Sequence, residues 1–209
     1  MIIKDNSKDT DFPPTPAGLW PAVCYGIVDI GTHEESWQNE LKERHSMYIL
    51  FELPTLTIEV EEETKPRGIS KKFTKSLHKK SALRAFLESW RGCAWSDKEL
   101  KEKGFDMRTL LGVNCQLNIV HNVTDDKTYA NIATVVPLSK GMTKYEPFNE
   151  LVCYDIRDGV NIPESVPEWL REKIFDSFEI NVLGQQNDEW NEPPQEPNSG
   201  PFDEDSIPF

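Results

Sequence analysis

Cationic side chains are concentrated in one part of this sequence. Nine of the 27 residues from Lys65 to Arg91 are Lys or Arg, and the only acid among them is Glu88. The whole chain, by contrast, carries a formal net charge of −13. Fields between exposed charges decay within about 8 Å at physiological salt, so residues 65–91, the basic stretch, can attract a polyanion despite the overall sign.

Aromatic and hydroxyl side chains are interleaved with these cations. Single-stranded nucleic acids are held by cations along the phosphates and by aromatic faces under the bases. The pattern therefore predicts a binder of single-stranded DNA, and no segment has the form of a major-groove recognition helix that would read sequence. The predicted contacts are Lys71, Lys72, Phe73, Lys75, Lys79, Lys80, Arg91, Tyr48, Tyr25, Trp37 and Tyr129.

Several of these predicted contacts also have an alternative structural interpretation. Lysines on a strand often only protect a sheet edge from pairing with another chain. Phe73 and Tyr48 could equally fill a core, and Arg91 could cap the end of a helix instead of holding a phosphate. The clustering of five lysines within residues 71–80 favours binding over edge protection.

Motifs of common enzymes are absent from the sequence. It contains no GxSxG, no phosphate-cradling glycine loop and no HExxH. The four histidines, His33, His45, His78 and His121, are isolated, and none pairs with a cysteine at zinc-binding spacing. We therefore expect a non-catalytic protein without metal or cofactor.

Short strands must position these side chains. Alternating apolar residues predict strands over Leu19–Ile30, Ser46–Leu53, Ile69–Leu77, Val113–His121 and Tyr129–Val136. Ser81 and the apolar spacing from Leu83 to Trp90 predict a helix over 82–90. The order predicts a mainly β protein, a five-stranded OB-fold barrel with a helical insert between strands 3 and 4. Other small barrels have a similar order of strands and helices.

The chain divides into three predicted parts. Residues 1–16 read as a flexible arm, and 17–183 as the OB-fold domain with a C-terminal helical extension. The apolar face of that extension predicts packing on the domain or, alternatively, a homodimer contact. Residues 184–209 hold seven acids and no Lys or Arg, which predicts a disordered acidic tail.

The tail ends in an acidic and apolar tip. An inert solubilising tail would explain the charge but not the apolar ending, because Phe209 can enter an apolar pocket while the acids steer it to a basic rim. We therefore predict that the tip binds partner proteins. The tip residues concerned are Asp203, Glu204, Asp205, Ile207, Pro208 and Phe209.

Two resemblances extend this interpretation. The ending DEDSIPF resembles the acidic tip of bacterial single-stranded DNA-binding proteins, with Ser206 inserted. The segments ISKKFTKSLHKKSALRAFLESWRG and FDMRTLLGVNCQLNIVHN resemble phage-encoded OB-fold proteins that bind single-stranded DNA, over roughly residues 17–180. These resemblances imply a phage protein that coats single strands in replication, recombination or repair and recruits partner enzymes through its tail.

The composition indicates in which cellular compartment the protein acts. No run approaches 18 consecutive apolar residues, so we expect no membrane span. No secretory signal is visible, and the four cysteines (Cys24, Cys93, Cys115, Cys153) are far apart, as in a reduced cytoplasmic protein. The rival hypotheses are an OB-fold interaction module of a replication complex, with incidental DNA binding, and an acidic mimic that occupies DNA-binding sites on other proteins. A nuclease is a third rival, disfavoured because the sequence offers no compact metal-binding set of carboxylates.

Overall fold

Six strands form one mostly antiparallel sheet in the computed structural model, which describes residues 13–37, 40–60, 63–124 and 127–182. The strands are β1 (Gly18–Trp37), β2 (Glu40–Val60), β3 (Glu63–Thr74), β4 (Asn114–Val123), β5 (Thr128–Pro137) and β6 (Val152–Tyr154). The helices include α1 (Ala82–Arg91), α2 (Asp97–Lys103) and α3 (Glu168–Phe175), residues 178–182 are also helical, and 3-10 turns lie at Met107–Leu110 and Ile156–Asp158. The predicted mainly β class is confirmed.

The strand order is β3-β2-β1-β4-β5, and β6 pairs in parallel with the middle of β1. Within the described residues the sheet is open, because β3 and β5 form its two edges without a ladder between them. The helix predicted between the third and fourth strands is α1, which begins after the Ser81 cap and ends at Gly92, with φ 76°. The sixth strand and α2 were not predicted.

The β1–β2 hairpin is much longer than the sequence pattern predicted. Residues 32–37 pair with 40–45, between the predicted strands Leu19–Ile30 and Ser46–Leu53, where no strand was predicted. We call this hairpin end, residues 32–45, the β1–β2 arm. Its ladder extends beyond the core and most of its side chains are solvated, so the apolar alternation that marks a half-buried strand is missing.

Two apolar clusters lie on opposite faces of β1 and β2. The inner cluster joins the sheet to α1 and includes Ile49, Phe51 and Trp90. The outer cluster places Leu170 and Ile174 of α3 over Leu50, together with β6. Successive side chains of a strand point to opposite faces, which is why Ile49 and Leu50 enter different clusters. The extension thus packs on its own chain, as predicted.

No helix in the described ranges is long and apolar enough to cross a bilayer.

Candidate nucleic-acid interface

The ammonium group of Lys71, the first lysine of the predicted cluster, makes its contacts within the fold. Its Nζ donates a hydrogen bond to the carbonyl oxygen of Ile132 on β5 and lies 5.8 and 5.7 Å from the ring centroids of Phe73 and Phe86. Burial lowers the pKa of Lys71. Alternation along β3 explains this position, because Lys71 faces the same side as the core residue Ile49 opposite it. This contact favours a structural role for Lys71 over the predicted contact with phosphate, which stays a prediction.

The prediction that Phe73 stacks on a base is wrong because Phe73 lies in the core, whereas Tyr25 is only partly covered and its stacking role stays a prediction. Phe73 is 3% exposed, and its ring lies 4.9 Å from that of Phe86 in the inner cluster. Tyr25 is partly buried against the outer cluster, and burial raises the pKa of its phenol to about 12. Both rings were predicted to contact bases from the alternation along a single strand. That alternation cannot show whether a later segment of the chain covers either face of the strand.

Lys72 and Tyr48 are cross-strand partners on the outer face of β2 and β3. Lys72 is exposed, and its Nζ pairs with Glu35 of the β1–β2 arm. That hydrogen bond lowers the pKa of Glu35. The Tyr48 ring meets Trp169 of α3 edge-on, at 5.1 Å between centroids and 86° between planes. We call Tyr48, Lys72 and Trp169 the outer platform.

Lys75, just after β3, reaches a buried carboxylate. Its Nζ is 2.5 Å from Asp29 Oδ2 and 3.8 Å from Asp155 Oδ2. Asp29 is nearly fully buried, and its other oxygen lies 2.7 Å from His45 Nε2 and accepts the backbone N–H of Gly31 at 3.0 Å. The ammonium thus compensates a buried charge, a contact that is strongly destabilising to break. Lys75 therefore has a structural role, and its predicted contact with phosphate stays a prediction.

A cleft of about 690 Å³ opens beside Lys75, and we call it the cleft. Arg108 and Arg157 enter it from two separate 3-10 turns, and each guanidinium is fixed by the aspartate two residues before it. These hydrogen bonds lower the pKa of Asp106 and of Asp155. The Nη1 group of each arginine forms no hydrogen bond with the described residues, and both side chains are mostly exposed.

The other predicted cations, Lys79, Lys80 and Arg91, lie at or near the two ends of α1. Lys79 pairs with Asp97, and Arg91 is 3.6 Å from Glu99 and 5.1 Å from the Trp95 ring centroid. Lys80 is exposed, forms no ion pair with a described residue and lines a small hollow with Thr74 and Ser76. Ser76 lines both this hollow and the cleft. Lys72 on β3 and Lys80 beside the hollow are thus both exposed cations of the basic stretch.

The remaining predicted contacts lie elsewhere on the sheet or outside the described parts of the chain. Tyr129 is 52% exposed on β5, and its stacking role stays a prediction. Trp37 ends β1, but its side chain is not among the described parts. Residues 1–12 of the predicted arm and the whole tail lie outside the described ranges. The tail includes the predicted partner contacts Asp203, Glu204, Asp205, Ile207, Pro208 and Phe209.

Three candidate contacts were missed by the sequence analysis, namely Trp169, Arg108 and Arg157. Trp169 was assigned to an apolar helix face, although only Leu170 and Ile174 of α3 are buried. The repeated pattern Asp-x-Arg at 106–108 and 155–157 was a usable signal, because Asp favours the turn that starts a short helix. No group of three or more metal-ligating side chains occurs in the part of the chain that the structure describes.

Comparison of the chain with known protein families, curated proteins and solved structures gave no significant match.

Proposed function

We propose that this protein binds single-stranded DNA without reading its sequence, along the outer platform, the cleft and Lys80. The observation that carries the proposal is the pair of Tyr48 and Lys72 on the outer face of β2 and β3, with Trp169 against it. An aromatic face beside a cation is the unit that single-strand binders repeat along their grooves. OB-folds bind oligonucleotides on the face of strands 2 and 3.

The OB-fold interpretation is part of this proposal. The order β3-β2-β1-β4-β5 and the position of α1 between β3 and β4 are those expected of that fold. The hydrogen bond from Lys71 to Ile132 brings the two edge strands together, which supports a partly open barrel. A barrel of this kind keeps the outer platform at one rigid face.

Ion pairs within the chain will limit the strength of binding. Lys72 holds Glu35, and four aspartates line the cleft with Lys75, Arg108 and Arg157. A phosphate must displace these carboxylates or share the cations with them, so we expect that few phosphates are fully neutralised. If about three phosphates are neutralised, the log-log salt slope should be about −2, which is shallow for a nucleic-acid-binding protein.

Fluorescence anisotropy with labelled oligo(dT) of increasing length tests this proposal. We expect binding of single strands of any sequence, little binding of a duplex of equal length, and weakening with salt. Equal affinity for duplex and single strand, or no affinity at low salt, would contradict it. The resemblance-based parts of the proposal are a phage origin, action in the host cytoplasm and recruitment of replication, recombination or repair proteins by the tail.

A second candidate function is that of a protein-interaction module. It is favoured by an apolar pocket of about 330 Å³ between α1 and β5, lined by Trp90, Trp95, Phe105 and Pro137 with Arg91 beside them.

Deleting residues 203–209 separates DNA binding by the domain from partner binding by the tail. Under the main proposal the truncated protein binds oligo(dT) at least as tightly as the full chain, whereas loss of binding would contradict the proposed division between domain and tail.

A further inference from the structure

We infer that Trp169, which α3 places over the outer face of β2, is the side chain on which an unpaired base stacks. This inference rests on the proposed function and assigns the stacking of a base, within the outer platform, to the residue that the C-terminal extension contributes. Trp169 is 41% exposed although it contacts the Tyr48 ring. In this edge-on arrangement the two rings are nearly perpendicular, so the contact leaves part of the indole surface open to a ligand.

Trp169 is held in place by its neighbours in α3. Leu170 and Ile174, one helical turn apart, are fully buried in the outer cluster against β1 and β2. They fix the position of the helix, and Trp169 precedes Leu170 directly. An indole that is already positioned loses little conformational freedom when a base stacks on it. The extension therefore contributes a preformed surface rather than a covering for the sheet alone.

The charge next to Trp169 indicates which ligand it binds. Lys72 stands opposite Tyr48 across the β2–β3 ladder, where side chains on one face lie about 5 Å apart. A nucleotide could place its base on Trp169 and its phosphate near Lys72, whereas a neutral sugar would leave Lys72 without a partner in the ligand. A base within a duplex is already stacked on both sides, so this arrangement selects unpaired bases.

The experiment compares Trp169→Leu with Trp169→Phe and with the control Phe175→Leu, which changes an exposed aromatic residue of the same helix. Anisotropy with oligo(dT) should show about ten-fold weaker binding for Trp169→Leu, because one stacking contact is lost. Trp169→Phe should retain most of the affinity, and Phe175→Leu should bind like wild type. Thermal unfolding of each variant verifies that α3 remains docked.

An abasic oligonucleotide makes the test specific to stacking. It keeps the phosphates but lacks bases, so wild type and Trp169→Leu should bind it equally. If wild type binds oligo(dT) and Trp169→Leu binds it just as tightly, the inference is overturned while the proposed function stands. If wild type binds neither oligonucleotide, the proposed function is contradicted, and the inference about Trp169 is overturned with it. Binding of a neutral oligosaccharide in place of oligo(dT) would overturn both.

Discussion

The ammonium group of Lys71 on β3 donates a hydrogen bond to the carbonyl oxygen of Ile132 on β5. The two strands are the edges of the sheet, and no ladder joins them within the described residues. A second side chain acts similarly on β5, since Ser89 Oγ of α1 donates to the carbonyl oxygen of Val135 at 2.5 Å. Side-chain donors thus satisfy edge carbonyls that a neighbouring strand would otherwise pair.

Replacing Lys71 should therefore affect stability rather than DNA binding. Lys71→Ala removes the donor to Ile132 and the contact with two aromatic rings, and we expect the free energy of unfolding to fall by about 1–2 kcal/mol. Urea unfolding measures this loss. The control Lys80→Ala should leave the unfolding curve unchanged and weaken oligo(dT) binding. If Lys71→Ala instead weakened oligo(dT) binding and left the unfolding curve unchanged, Lys71 would be a DNA contact and the proposed interface would be contradicted.

Removing the carboxylate partner of Lys72 should strengthen DNA binding. Glu35→Gln leaves Lys72 free to pair with a phosphate, so we expect several-fold tighter binding of oligo(dT) at low salt and a slope steeper by up to about 0.7. Anisotropy titrations at several salt concentrations measure both quantities. Glu34→Gln is the matched control, because it makes the same change in net charge at an exposed neighbouring position. Equal effects of the two variants would mean that only net charge matters.

Gly31 is required by the close approach of the C-terminal segment. Its φ is +77°, and a Cβ there would lie 2.6 Å from Glu179 Oε2 and 2.8 Å from Ser177 Cβ. Gly31→Ala should therefore lower the free energy of unfolding by about 1–3 kcal/mol, through backbone strain and the displaced segment. Gly68→Ala serves as control, since no atom lies within 4 Å of its Cβ position. Equal thermal unfolding temperatures for both variants would refute this packing.

Glu179 should make the docking of the C-terminal segment sensitive to acid. Burial would raise the pKa of Glu179, but the N–H and hydroxyl of Thr32 donate to its carboxylate at 2.8 and 2.7 Å, and the pKa is lowered overall. A carboxyl whose pKa is lowered by folding stabilises the protein above its unfolded-state pKa of about 4.3, and this stabilisation is lost as pH falls through the folded-state value.

Thermal unfolding between neutral and acidic pH tests this contribution. Glu179→Gln should be less stable than wild type at pH 7 by about 1 kcal/mol, and the two curves should converge in acid. Glu172→Gln, which changes an exposed carboxyl of α3, should follow wild type throughout. A constant difference between Glu179→Gln and wild type at every pH would show that the carboxylate charge is not the cause.

Thiol labelling gives an independent test of the cleft. Burial raises the pKa of Cys24 to about 12 and that of Cys115 well above its usual value, so neither should react with a thiol reagent in the folded protein. Cys93 and Cys153 are exposed, and Cys153 lines the cleft. Burial raises the pKa of Cys153, so it should react more slowly than Cys93.

Oligo(dT) should then slow the labelling of Cys153 and leave that of Cys93 unchanged. Mass spectrometry of the labelled peptides distinguishes the two sites. If DNA binds without protecting Cys153, the cleft is excluded from the interface while the outer platform remains. Labelling of all four cysteines before denaturation would contradict the buried positions of Cys24 and Cys115.

Local patterns in the sequence were sufficient for much of the fold. Apolar alternation marked the five principal strands, and the spacing from Leu83 to Trp90 with Ser81 and Gly92 marked α1 within one residue. These signals are local because each strand or helix must bury one face of its own. The β1–β2 arm and α2 were missed because most of their side chains are solvated and follow no apolar period.

The positions of the charged side chains required long-range contacts. Lysines at 71, 72 and 75 look equivalent in the sequence, yet one closes the gap between edge strands, one borders an aromatic pair and one compensates a buried aspartate. Their partners, Ile132, Glu35 and Asp29, lie 61, 37 and 46 residues away along the chain. Charge counting along the sequence therefore identified the basic stretch, but tertiary packing selected which of its cations a ligand could reach.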